Sequence, residues 1–82
     1  MIVPSGKLGI VLANKHDGKG TVVNDVRPNS AMKGMVSPGD KIIGVDEKDV
    51  TNWLVNDITT LMASRASSER RLTFISTFYT VD

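Results

Sequence analysis

Gly6 and Gly9 flank Lys7-Leu8, and the apolar, β-branched run Ile10-Val11-Leu12 follows directly. Glycine reaches φ > 0 without strain and, lacking a Cβ, lets another backbone approach closely. Backbone N–H groups exposed in such a turn form a concavity suited to an anion. The strand after it can accept an extended peptide along its edge. The chemistry within reach is therefore non-covalent: capture of a negative group beside a strand-like ligand. A tight turn without function would use the same two glycines, so the stretch needs support from elsewhere in the chain.

Other reactive groups are sparse. His16 is the sole histidine and lies in a polar loop with no second ligand beside it, whereas metal sites need converging ligands. Asp40, Asp46, Glu47 and Asp49 are close in sequence, but a strand turn between them makes a solvated rim rather than a catalytic carboxylate pair. Asp40, directly after Gly39, shapes a turn. Ser5, Ser30 and Ser37 have no base within a recognisable motif, and without cysteine there is neither a disulfide nor a thiolate metal site. No catalytic residue, metal or cofactor is expected, and the chain does not read as an enzyme.

Eighty-two residues suffice for one small domain and leave no room for a second core. Hydrophobic residues make up 40% and charged residues 23%, the balance of an ordinary soluble globular chain. The net charge of +1 argues against nucleic acid as the main partner, because phosphate recognition shows a basic excess. No apolar run approaches the ~20 residues of a membrane span, and the start has no signal-peptide pattern. Met1 followed at once by strand-like Ile2-Val3 suggests a domain excised from a longer protein.

The elements that would position the glycine turn follow from periodicity and breakers. Residues 1–3 form a short edge strand stopped by Pro4, which lacks the donor a central strand needs. Residues 9–14 and 21–26 read as a hairpin joined by the polar loop 15–20. Asn29 or Ser30 can cap a one-turn helix through Ala31, Met32 and Lys33, closed by Gly34. After the Ser37-Pro38-Gly39 turn come strands at 41–46 and 48–50. Thr51 or Asn52 begins the main helix, residues 53–65, with Leu54, Ile58 and Leu61 on one stripe and Val55, Thr59 and Met62 on the next. Trp53, in its first turn, reads as a half-buried packing residue or as a partner contact on an exposed rim. Residues 70–77 form the last strand, with Leu72 and Phe74 alternating against Thr73 and Ile75. The fold class is α+β, mostly β: a small, partly open, five- to six-stranded antiparallel barrel or sandwich flanked by one short and one long helix.

Two stretches together resemble a PDZ domain. Lys7-Leu8-Gly9-Ile10 stands where that family has Gly-Leu-Gly-Phe, departing at the first and last positions. The stronger resemblance is Val26-Arg27-Pro28-Asn29-Ser30-Ala31 followed by Pro38-Gly39-Asp40-Lys41-Ile42-Ile43. It runs from residue 3 to about residue 76 of a single domain spanning 1–82, leaving 77–82 as a C-terminal tail. The strand order matches the usual eukaryotic arrangement, not the permuted one of many bacterial protease-associated domains.

The resemblance implies a peptide-binding interaction module that captures a partner's C-terminal tail as an added strand between residues 9–14 and the main helix. The backbone N–H groups of Leu8, Gly9 and Ile10 would hold the carboxylate, with Lys7 adding charge beside them. Leu8, Ile10, Leu12 and Met62 would line the pocket for the last side chain, although core packing accounts for the same four residues. Val55, Thr59 and Met62 would face the groove, and Leu54, Ile58 and Leu61 the core. Many family members have histidine at the position of Val55, where it bonds a Ser or Thr hydroxyl two residues before the peptide's end. Valine offers no donor, so apolar residues at both the last and third-last places are expected; a one-residue helix shift would present Asn56 instead. The binding should be micromolar in scale, at most about −8 kcal/mol.

The expected setting is a cytoplasmic scaffold, with any membrane association made through its partners. Self-capture through the tail is not expected, because the acidic side chain of Asp82 fits poorly in an apolar pocket. Two other functions fit the same residues. One is a regulatory or substrate-sensing domain of a larger protease or signalling enzyme. The other is a membrane-surface module that uses Lys33, Arg65, Arg70 and Arg71 on anionic lipid.

Overall fold

A computed structural model describes residues 2–3, 5–6 and 8–76. The strands are β1 (Ile2–Val3), β2 (Ile10–Asn14), β3 (Thr21–Val26), β4 (Asp40–Val45), β5 (Lys48–Asp49) and β6 (Arg70–Ser76), with the helix α1 (Val55–Ser64) before the last. The strands pair antiparallel, in the order β1-β6-β4-β3-β2, with β5 paired to β4. This is a six-stranded open antiparallel sheet with one helix among the described residues, the mostly β α+β class that the sequence pattern implied, without its short helix. The expectations for Lys7 and for the tail 77–82 fall outside the described residues.

The β2–β3 hairpin pairs Ile10 with Val26 and Val11 with Asp25, then Leu12 with Val23. Asn24 is therefore the extra residue, and it lies on β3. A bulge disturbs the strand that carries it, so β2 keeps its two-residue period and holds Ile10 and Leu12 on one face. Because β2 ends the strand order, its outer edge is open beside α1.

One core serves these elements. Val3, Leu8, Met32, Val36, Ile42, Val45, Val50, Ile58, Met62 and Leu72 are buried together, and Ile10, Leu12, Val26, Trp53, Leu61 and Phe74 pack against them. The helix contributes Ile58 and Met62, one turn apart, which is why its inner face can lie along the sheet.

Three local expectations need correction. Ala31–Lys33 is not a one-turn helix but part of a run of turns, closed by bonds such as Ser30 N–H to Arg27 O and Met35 N–H to Met32 O. Burial of Met32 dominates there, and the loop bends to deliver that side chain to the core. The main helix starts at Val55, not at 53, and neither Thr51 nor Asn52 caps it. The Thr51 hydroxyl and N–H both bond Asp49, and Trp53 N–H bonds Val50 O, which holds 50–53 in a turn. Trp53 is thus a half-buried residue ahead of the helix, with Lys48 Nζ 5.6 Å from its ring centre. Leu54, expected in the core, is 39% exposed because it occupies the N-cap position rather than the buried stripe.

Candidate functional site

The glycine turn is held by its carbonyls. Gly6 and Gly9 have φ of +88° and +73°, the left-handed region that disfavours side chains. The Ser30 hydroxyl donates to Leu8 O at 2.5 Å, and Arg27 N–H donates to Gly9 O at 2.8 Å. There is no cis peptide among the described residues, and in a trans peptide the N–H points opposite to the C=O of the same unit. The N–H groups of Gly9 and Ile10 therefore face away from the 27–30 segment, toward the open edge of β2. Gly9 must be glycine for a second reason: a Cβ there would lie 3.0 Å from both Cα and Cβ of Ser30.

A groove of about 540 Å³ runs from this turn between β2 and α1. Gly6, Leu8, Ile10 and Leu12 form one wall; Val55, Thr59, Met62, Ala63 and Ala66 form the other, with Arg70 also contributing. Val55, Thr59 and Met62 fall within two turns of α1, so the helical period puts them on one face. At the other end, Asn14 Oδ1 accepts a hydrogen bond of 2.7 Å from Val55 N–H. This caps the first orphan donor of α1 from across the groove, since Leu54 provides no side-chain cap.

Gly9 and the apolar residues named from the sequence thus gather around one turn and one groove. Four participants were missed there. Ser30 was read only as a possible helix cap, and its hydroxyl does accept from Met32 N–H at 3.0 Å, but it also orients Leu8. Asn14, which ends β2, also caps α1 through its side chain, a role its strand position does not show. Ala66 O accepts from Gly6 N–H at 2.8 Å. Arg70 was placed among surface cations, yet it is 3% exposed and donates to Gly6 O at 2.6 Å. Its signal was available: Leu72 and Phe74 point inward, and the same two-residue period carried back reaches Arg70.

The remaining charged groups serve turns. Asp46, itself at φ +53°, accepts from Arg71 N–H at 2.9 Å and from Arg65 at 2.7 Å. The Arg71 N–H, then the Arg65 guanidinium, hold its carboxyl below the ordinary 3.8. Asp49 is lowered by the Thr51 hydroxyl and N–H, and Asp17 by Lys15 and the Lys19 N–H. Asp40 accepts from Ser37 N–H, closing the turn through Pro38 and Gly39 that leads into β4. A larger cavity of about 680 Å³ is lined by Ile2, Asp46, Lys48, Arg65, Glu69 and Arg71 among others, a charged rim. With Arg70 buried and Arg65 engaged by Asp46, the four cations of the lipid reading do not make one exposed patch. Among the described residues no three His, Asp or Glu side chains converge, and no helix is long and apolar enough to cross a membrane.

The arrangement defines a class of small domain in which an open antiparallel sheet leaves a groove between its edge strand and one helix. A family model of the PDZ domain matches residues 1–73, and the chain belongs to that family of protein-interaction domains. Among solved structures it is similar to the PDZ domain of a choanoflagellate GIPC, with a TM-score of 0.80 at 17% identity, covering 100% of this chain and 95% of that one. It is also similar to the third PDZ domain of Dlg1 from the choanoflagellate Monosiga brevicollis, with a TM-score of 0.76 at 18% identity over 93% of this chain and 84% of that one. The dmPar3 PDZ1 domain, solved in complex with the dmPar6 PBM, gives 0.69 at 22% identity over 92% and 90%. No curated protein sequence matches.

Proposed function

We propose that the chain captures the C-terminal tail of a partner protein as an added strand between β2 and α1. The observation that carries this reading is the pair of N–H groups, Gly9 and Ile10, turned toward the open edge of β2 by the bonds on Leu8 O and Gly9 O. Leu8 N–H is the third donor of the cradle. The tail's last side chain enters the apolar space among Leu8, Ile10, Leu12 and Met62. Its third-last side chain, on the same face of an extended peptide, meets Val55 and Thr59. Valine rewards an apolar residue there and leaves a hydroxyl without a partner.

Two related structures support the mode of binding. A choanoflagellate GIPC PDZ domain, 18% identical with a TM-score of 0.77, was solved bound to a B1AR peptide, and dmPar3 PDZ1 was solved with the dmPar6 PBM. Membership of a family of protein-interaction modules supports action by binding.

The test is a titration of one peptide in two forms, free acid and C-terminal amide, with apolar residues at the last and third-last places. A carboxylate held by backbone donors makes charge-assisted hydrogen bonds worth ~1.5–3 kcal/mol each. The amide should therefore bind at least tenfold more weakly. Equal affinities would remove C-terminal capture and leave internal-strand recognition.

A further inference from the structure

The end of the groove away from the glycine turn is bridged by one side chain. Asn14, the last residue of β2, accepts from Val55 N–H at 2.7 Å through Oδ1. A backbone N–H can only donate, so the orientation of the amide is fixed, with its oxygen on α1 and its NH2 turned away from Val55. Asn14 is exposed, and among the described residues that NH2 bonds no protein group.

The undisturbed period of β2 sets Asn14 on the face of Ile10 and Leu12. Its cross-strand partner agrees: Thr21 is fully buried, and its hydroxyl donates to Trp53 O just ahead of α1. A tail whose carboxylate sits at Gly9 and Ile10 runs antiparallel to β2. With its last residue opposite Ile10, its third-last stands opposite Leu12 and its fifth-last opposite Asn14. These three side chains share the groove face, whereas the second- and fourth-last point away. At ~3.4 Å per residue Asn14 lies about 14 Å along β2 from Ile10, within reach of a tail ordered over five residues.

The cap itself needs only an oxygen, which aspartate supplies as well as asparagine. Asparagine adds a donor pair beside the path of the peptide, and an ionised acceptor makes the stronger hydrogen bond. We propose that Asn14 is a specificity-determining residue for the tail's fifth-last place, where its NH2 donates to a Glu or Asp carboxylate. This inference rests on the C-terminal reading above and extends it beyond the last and third-last places.

The experiment is fluorescence polarisation with free-acid peptides that differ only in Glu, Leu or Lys at the fifth-last place, on wild type and Asn14→Asp. Wild type should bind the Glu peptide about three- to tenfold more tightly than the Leu peptide, the range of one net hydrogen bond. Asn14→Asp keeps the acceptor for Val55 N–H and loses the donor, so it should bind the Lys peptide more tightly than the Glu peptide. A wild type that ranks Glu and Leu alike, or a variant that keeps the wild-type ranking, overturns the proposal. The same exchange at the fourth-last place should change little in either protein. An equal swing there also overturns the proposal, because it reports charge acting at a distance and not contact. Should Asn14→Asp fail to fold, the Asn14 side-chain NH2 signals in NMR spectra of the wild type decide. They should shift further with the Glu peptide than with the Leu peptide, and identical responses overturn the proposal. If wild type does not discriminate between free acid and amide, C-terminal capture fails and this inference falls with it. A wild type that requires the free acid yet is indifferent at the fifth-last place sinks the role of Asn14 alone.

Discussion

The hydroxyl of Ser30 donates to the carbonyl of Leu8 at 2.5 Å, joining the loop after β3 to the glycine turn before β2. Through the trans peptide this bond sends the Gly9 N–H the other way, into the groove. The same hydroxyl accepts from Met32 N–H at 3.0 Å, so one side chain fixes both the turn and the loop that buries Met32.

Ser30→Ala should lose both bonds. A part-buried hydrogen bond contributes ~0.5–1.5 kcal/mol, so a urea titration should show a loss of about 1–2 kcal/mol. The same variant should bind the acid peptide more weakly at temperatures where it is fully folded. Unchanged stability and affinity would show that the Leu8 carbonyl needs no such anchor.

Gly9→Val meets two obstacles, the positive φ and the Ser30 backbone 3.0 Å from its Cβ. A β-branched residue in the left-handed region costs at least ~1–2 kcal/mol before any clash is counted. Loss of stability by that amount, with peptide binding abolished, is expected from paired denaturation and titration experiments. A variant that folds and binds normally would show that the turn tolerates a side chain.

Val55 is half-buried on the groove wall, with its N–H capped by Asn14. Wild type should prefer an apolar residue over Thr at the third-last place, because burying such a side chain is worth ~1.5–3 kcal/mol and an unpaired hydroxyl costs ~1–3. Val55→His should reverse the preference toward Ser or Thr. Titration of a peptide pair differing only there decides it, and a wild-type preference for Thr would refute the assignment.

Asp46 ties the β4–β5 turn to β6 and to Arg65 beyond the end of α1. Its folded-state pKa lies below the ordinary 3.8. The unfolded chain therefore takes up the proton first, and the stabilisation by this carboxylate is full above 3.8. It is lost as pH falls through the lower folded value. Asp46→Asn should lower the melting temperature at neutral pH and flatten its decline below pH 3.8. Parallel melting curves for variant and wild type across that range would exclude the linkage.

What was legible in the sequence is what repeats locally or breaks chain direction. The apolar run of β2, the two-residue alternation of β6, the glycines of the turn, and the helical stripe of Val55, Thr59 and Met62 each depend on neighbours a few positions away. Propensity and periodicity read such neighbours directly. The helix start was misplaced because Thr51 looked like a cap, when its hydroxyl belongs to Asp49. The stretch 31–33 looked helical for the same kind of reason, a good cap residue before apolar ones, but burial of Met32 governs it.

Tertiary structure alone decided which polar groups set the site. Arg70 reaches Gly6 across 64 positions, Asn14 reaches Val55 across 41, and Ser30 reaches Leu8 across 22. Each bond satisfies a backbone group whose partner is brought near only when the sheet closes and α1 packs on it. Burial supplies the selection: an exposed backbone group can take water, whereas one beside the core must find a protein partner. A pattern along the chain can show that Arg70 alternates inward with Leu72. That it ends under the glycine turn depends on β6 pairing with β1, which places Arg70 opposite Val3.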